Sequence, residues 1–220
     1  MREMHHSRWS KIGTALAVSS ALGLMSGMSV ANDKLVELSK SNENWVMQGK
    51  DFSGTHYSTA KQINKDNVKK LRPSWSFSTG VLNGHEGAPL VVDGTMFIHT
   101  PFPNNTFAID LDEPGVIKWE HKPKQDPAAR AVACCDVVNR GVALYDDKVI
   151  FGTLDAKLVA LNKDTGKPMW IKKVADYQAG YAITAAPIVV KGKVITGVSG
   201  GEFGIVGKVY AYDAKSGKQL

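Results

Sequence analysis

Apolar residues in this chain fall in short runs that break at polar dipeptides. Val, Ile, Leu and Phe flank Asp93-Gly94 between Pro89 and Thr100, Asp146-Asp147 between Val142 and Gly152, and Lys191-Gly192 between Pro187 and Gly197. Runs this short, bounded by turn-forming residues, predict β-hairpins. After each hairpin comes a related stretch. Residues 160–170 read Ala-x-Asn-x-x-Thr-Gly-x-x-x-Trp; residues 211–220 repeat it up to the position before the tryptophan. A third copy runs from Ala108 through Gly115 to Trp119 and is one residue longer. The alanines that open the copies lie 52 and 51 residues apart. Four strands in about fifty residues is the size of one β-propeller blade. A β-sandwich would leave the shared tryptophan at a shared offset unexplained. The one short helical candidate is Asp33 to Ser41. The expected fold is therefore all-β, a propeller with about three blades present.

Closed propellers have roughly four to eight blades, and three alone would leave open sheet edges. Residues 32–220 are thus expected to be the N-terminal, truncated part of a longer propeller domain. Residues 1–31 read as a cleaved secretory signal. Arg2, Arg8 and Lys11 precede an apolar stretch from Ile12 to Val30, and Ser29-Val30-Ala31 is a small-x-small cleavage site. No later run approaches the eighteen or so apolar residues that span a bilayer, so stable membrane insertion is not expected. Export points to an oxidising compartment, a bacterial periplasm.

Charge changes the picture little. The whole chain carries 27 basic and 21 acidic residues, net +6; without the first 31 residues the balance is 24 to 20, net +4. The lysines are scattered through turns, in runs no longer than Lys69-Lys70. That is a solvated basic surface rather than a nucleic-acid footprint, and it suits an acidic redox partner.

The only cysteines, Cys134 and Cys135, are adjacent. Ordinary disulfides hold Cα atoms roughly 4.4–6.8 Å apart, whereas neighbours across a trans peptide sit about 3.8 Å apart. The pair is either two buried thiols packed as small hydrophobes or a strained eight-membered disulfide ring of the kind found at functional sites. An oxidising compartment favours the ring. Nearby, Gly84-His85-Glu86-Gly87-Ala88-Pro89 opens the first repeat, Arg130 to Gly141 the second and Thr184-Ala185-Ala186-Pro187 the third. Ser199-Gly200-Gly201-Glu202 lies inside the third. Equivalent positions of a propeller converge at one end of its axis, so Glu86, the cysteines with Arg140, and Thr184 are expected to face a common space. His56, His85, His99 and His121 show no metal-ligand spacing, and no Gly-rich nucleotide loop or Ser-His-Asp order is present.

Taken together these segments resemble the quinoprotein alcohol dehydrogenases, eight-bladed enzymes that use pyrroloquinoline quinone (PQQ). The resemblance covers residues 42–220, including Trp45 to Tyr57 and the tryptophan-docking repeats. His85 to Pro89, Pro103-Asn104-Asn105-Thr106 and Pro127 to Asp136 look most similar to the large subunits of the methanol dehydrogenases. Phe203-Gly204-Ile205-Val206-Gly207 is closer to the broader alcohol dehydrogenases. The resemblance implies a vicinal Cys134–Cys135 disulfide as one wall against the flat quinone. It also implies Arg140 on a cofactor carboxylate, a bidentate task suited to a planar guanidinium. Thr184 and Ser199 are implied as hydroxyl donors to cofactor oxygens, Glu86 at the cofactor's polar edge, and Gly200 and Gly201 as backbone the cofactor approaches closely. Glu202 is implied as a ligand of Ca²⁺ or a lanthanide, hard cations that take oxygen donors. The plainer readings are a surface ion pair for Arg140, turn caps for the hydroxyls and solvated carboxylates for the two glutamates.

The implied activity is oxidation of a primary alcohol, methanol foremost, to the aldehyde. The metal polarises the quinone, a carboxylate base takes the hydroxyl proton, hydride passes to the quinone, and electrons leave to a periplasmic cytochrome c. In the family that base is an aspartate on a later blade, so no catalytic residue is expected in these 220 positions and this length of chain alone is expected to be inactive. A homodimer or a small second subunit is compatible with the resemblance. Two alternatives are a quinoprotein for ethanol or larger alcohols, and a non-catalytic propeller scaffold of the outer-membrane assembly type. The scaffold reading calls for no vicinal cysteines and a lipobox cysteine at the cleavage site.

Overall fold

A computed structural model describes residues 30–133 and 136–220; most of the expected signal segment lies outside these. The described residues begin with α1 (Val30–Lys40), which starts three residues earlier than the Asp33–Ser41 expected. Among the described residues, eleven strands follow in three antiparallel sheets. The first blade is β1 (Leu90–Val92), β2 (Thr95–His99), β3 (Thr106–Asp110) and β4 (Ile117–His121), hydrogen-bonded in that order. The second is β5 (Ala143–Tyr145), β6 (Lys148–Gly152), β7 (Lys157–Asn162) and β8 (Pro168–Lys173). The third has β9 (Ile188–Val190), β10 (Lys193–Gly197) and β11 (Val209–Asp213), with an isolated antiparallel bridge between Tyr212 and Gln219 beside it.

The hairpin turns fall where the polar dipeptides stand. Asp93, Asp146 and Lys191 take φ near +50° (49°, 51° and 48°), and Gly94 and Gly192 follow at 68° and 71°. Two consecutive left-handed residues match the right-handed twist of the flanking strands. The repeated motif explains the second pairing. Ala108 pairs with Trp119 and Ala160 with Trp170 across β3–β4 and β7–β8, each beside a bulge. The alanines are fully buried, leaving room on that face for the indoles. Asn162 and Asp213 shape the following turn by accepting from the backbone N–H of Thr165 (2.9 Å) and Ser216 (2.8 Å).

Each tryptophan docks on the next blade's turn, not its own. The Trp119 ring lies over Gly166, where a Cβ would come within 2.6 Å of the indole, and its Nε1 donates to the Lys163 carbonyl at 2.9 Å. Trp170 lies over Gly217 in the same way and donates to the Ala214 carbonyl at 3.3 Å. The core is accordingly two seams. One packs Leu90, Phe97 and Trp119 against Leu144, Val149 and Phe151, with α1 closing it through Leu35. The other packs Ile150, Leu158 and Trp170 against Val189, Val194 and Tyr212. No helix among the described residues is long and apolar enough to cross a membrane.

Candidate functional site

The starts of the three blades are drawn together by backbone contact. Gly87 and Gly141 touch directly: a Cβ on Gly87 would lie 3.4 Å from the Gly141 Cα, and one on Gly141 would lie 3.3 Å from the Ala88 carbonyl. Gly141 has φ 113°, a conformation that side chains oppose. The fully buried Asn139 fixes this crossing, donating to the Gly152 carbonyl at 2.9 Å and accepting from Gly141 N–H at 3.0 Å. The residues flanking the two glycines, Glu86 and Arg140, are thereby set side by side.

Arg140 is the hub. Its backbone N–H donates to the Thr184 carbonyl at 3.0 Å, joining the second blade start to the third. Its guanidinium reaches the Glu86 carboxylate at 3.0 Å and makes longer contacts with Thr184, 3.4 Å to the hydroxyl and 3.5 Å to the carbonyl. Both partners of the ion pair are about half exposed (52% and 46%), so the charges stay hydrated on one side. A guanidinium has five N–H donors, and these contacts leave capacity for a further acceptor. The surface-pair and ligand-holding readings of Arg140 are therefore compatible.

Beside Arg140 is a corner of about 80 Å³ lined by Val132, Ala133, Asp136, Val138, Ala182, Thr184, Ser199 and Gly200. Ala182 and Ser199 hold its far wall as a mutual backbone pair (3.1 and 2.8 Å), and the Ser199 hydroxyl donates to the Ala182 carbonyl at 3.2 Å. Gly200, at φ 124°, is demanded by the protein itself, because a Cβ there would collide with the Gly180 carbonyl at 1.8 Å. Gly201 is different: a Cβ there would meet open space.

Of the residues expected at the site, Glu86, Arg140 and Thr184 are in contact, and Ser199 and Gly200 share the corner with Arg140 and Thr184. Glu202 sits on the exposed single-turn 3-10 helix Gly201–Phe203, outside the corner's lining. No group of three or more metal-binding side chains occurs among the described residues. Cys134 and Cys135 lie outside the described residues; their neighbours Ala133 and Asp136 both line the corner. Sequence reasoning passed over Asp136, whose position directly after the cysteines could have marked it and whose φ is 76° in the structure. It also passed over Asn139.

The donor set suits a flat, carboxylated quinone: a guanidinium, a threonine hydroxyl and glycine backbone around an open-sided corner. It suits a hard cation only in part, since Glu202 supplies one oxygen ligand and the described residues add no cluster.

The geometry defines a tandem β-blade protein whose repeats of about fifty residues are stapled by tryptophan and whose blade starts build a polar corner. Residues 45–220 match the family model for the glucose/ethanol/alcohol dehydrogenase β-propeller domain, named for PQQ. The chain belongs to this PQQ-dependent alcohol dehydrogenase family. It is 56% identical to methanol dehydrogenase [cytochrome c] subunit 1 of Methylobacterium organophilum, over 97% of this chain and 35% of that protein. It is 50% identical to the lanthanide-dependent methanol dehydrogenase of Methylacidiphilum fumariolicum, over 96% of this chain and 34% of that protein. A solved europium-containing methanol dehydrogenase superposes with a TM-score of 0.84 at 52% identity, over 86% of this chain and 33% of that one. The chain thus spans about a third of the length of the curated relatives it matches.

Proposed function

We propose that this chain is part of a periplasmic quinoprotein that oxidises a primary alcohol, methanol foremost, to its aldehyde, using PQQ with Ca²⁺ or a lanthanide and passing electrons to a cytochrome c. One observation carries the reading: Arg140 is held by Glu86 and Thr184 where three blade starts meet, with donors to spare. The names of the relatives at 50–56% identity, one with cytochrome c and one with a lanthanide, support the choice of substrate, acceptor and metal.

When bound, the quinone supplies the two-electron acceptor. Arg140 would hold one of its carboxylates, with Glu86 fixing the guanidinium plane and keeping the local charge near balance. Thr184 would donate its hydroxyl; Ser199 would do so by turning from the Ala182 carbonyl. Gly200 would form the close backbone wall, with Gly201 open beside it, and Cys134–Cys135 the facing wall. Glu202 would give a carboxylate oxygen to the cation. The proton-accepting base falls outside these residues. Assembly as a homodimer or with a small second subunit is part of the same reading, as is export by residues 1–31.

The test uses the complete gene product, loaded with quinone and either Ca²⁺ or a lanthanide. Quinone absorbance in the purified protein and dye-linked oxidation of methanol are expected; absence of both overturns the proposal. The Phe203–Gly207 stretch favours one second reading, a preference for larger alcohols. A higher kcat/KM for ethanol or longer alcohols than for methanol would decide for it.

A further inference from the structure

The single-turn 3-10 helix Tyr177–Ala179 and its left-handed cap Gly180 (φ 97°) touch both sides of the corner without lining it. On one side the Tyr177 hydroxyl donates to the Asp126 carboxylate, 51 positions away. The same carboxylate caps the 3-10 helix Pro127–Val132, accepting from Ala128 N–H at 2.9 Å. The Tyr177 side chain packs with Phe102 and Ala133 on a small buried cluster of Ala129, Val137, Leu154 and Ala182. Arg130, from the same helix, stands over the Phe102 ring at 5.7 Å. That helix ends at Val132 and Ala133, the wall of the corner that leads into the cysteine pair.

On the other side Gly180 is wedged against the segment that carries Glu202. Its carbonyl is the atom a Cβ on Gly200 would strike, and a Cβ on Gly180 would lie 2.8 Å from the Phe203 Cβ. One turn therefore bears on both walls at once, through a hydrogen bond at one end and hard backbone contact at the other.

We propose that Tyr177–Gly180 is a positioning brace that sets the separation between the Val132–Ala133 wall and the Gly200–Glu202 turn, and thereby the grip on a flat carboxylated ligand. The inference rests on the quinone-site reading above. Its chemistry holds at neutral pH: the bond from Tyr177 keeps the Asp126 carboxyl below its ordinary range, and donating that bond to a carboxylate raises the Tyr177 phenol. The pair is a neutral donor on an ionised acceptor, the stronger class of hydrogen bond.

The test again uses the complete gene product, freed of quinone and held in excess Ca²⁺. Tyr177→Phe keeps the ring in its cluster and removes the donor. Gly180→Ala keeps the Asp126 bond and presses on Phe203. Quinone dissociation constants from absorbance titration, and separately the thermal midpoint, are read for each. Tyr177→Phe is expected to weaken quinone binding about five-fold, in line with one lost hydrogen bond, and Gly180→Ala at least as much. Asp126→Asn, which retains an acceptor, should bind more tightly than Asp126→Ala. Wild-type quinone affinity in both Tyr177→Phe and Gly180→Ala, with or without a lower midpoint, overturns the brace and leaves the turn a fold staple. Failure of the wild-type protein itself to take up quinone overturns the site reading, and this inference with it.

Discussion

The second and third blades are built from the same repeat, yet they are buried differently. All five residues of β6 in the second blade are buried, whereas β10 in the third alternates exposed and buried along Lys193–Thr196. Their central sequences are alike, Val149-Ile150-Phe151 and Val194-Ile195-Thr196. What differs is the neighbour. In β6, Val149 and Phe151 face the first blade and Ile150 faces the third. In β10, Val194 faces the second blade, while Ile195, the counterpart of Ile150, is 37% exposed beside Ile188 at 55%. A continuous apolar run is the signature of a strand covered on both sides. In the third blade the uncovered side instead leaves Ile188 and Ile195 exposed as an apolar pair.

If neighbours set these differences, paired substitutions should separate the blades. Ile150→Ala removes a fully buried side chain and is expected to cost about 2–5 kcal/mol of unfolding free energy. Ile195→Ala should cost well under half as much; equal losses in urea titrations would break the comparison. Next comes the docking turn. Gly166→Ala adds left-handed strain to a collision with the Trp119 indole and should cost about 2–4 kcal/mol. Gly115→Ala has the strain but open space around the new methyl, so about 1 kcal/mol is expected from thermal or urea unfolding.

A pH titration sharpens the contrast further. His99 is buried at the first seam, bonded to Thr106 Oγ1 at 2.9 Å and close to Phe151, and burial pushes its pKa down to about 3. The unfolded chain, with histidine near 6.5, then binds the proton better. Stability is full above that value and falls as pH drops toward 3, by about 1–2 kcal/mol between pH 6.5 and 5. His99→Gln should flatten that slope, and a slope unchanged in the variant would refute the assignment. The third blade contains no histidine, so its unfolding should lack this contribution. The smallest change in stability belongs to the site. Glu86→Gln, which breaks a half-exposed ion pair, should shift unfolding by no more than about 0.5 kcal/mol while weakening quinone binding severalfold. A large stability loss there would recast the corner as a structural seam.

The repeat was legible because its signals are local. Asp-Gly and Lys-Gly turns, an alanine opposite a tryptophan and an Asn or Asp shaping the next turn all act within a few residues. The convergence of Glu86, Arg140 and Thr184 was legible as well, since equivalent places in equivalent blades must meet. The destination of each indole was not, because nothing within a motif distinguishes its own Gly from the next one. Nor was the reason for Gly200, which is the Gly180 carbonyl rather than a ligand, or the Tyr177–Asp126 bond, which joins two unremarkable polar residues across separate blades. Glu202, implied as a metal ligand, sits on an exposed turn outside the corner's lining. Long-range contacts between single side chains leave no periodicity to read.

The docking of each indole on the following turn also gives the molecule a direction in time. Trp119 waits for Gly166 and Trp170 for Gly217, a lag of 47 positions in both cases. Until the following turn is in place, a blade stands with its tryptophan unsheltered. Folding is then a relay along the chain: every sheet is finished by its successor, and a blade whose successor has not yet folded shows its indole to the solvent.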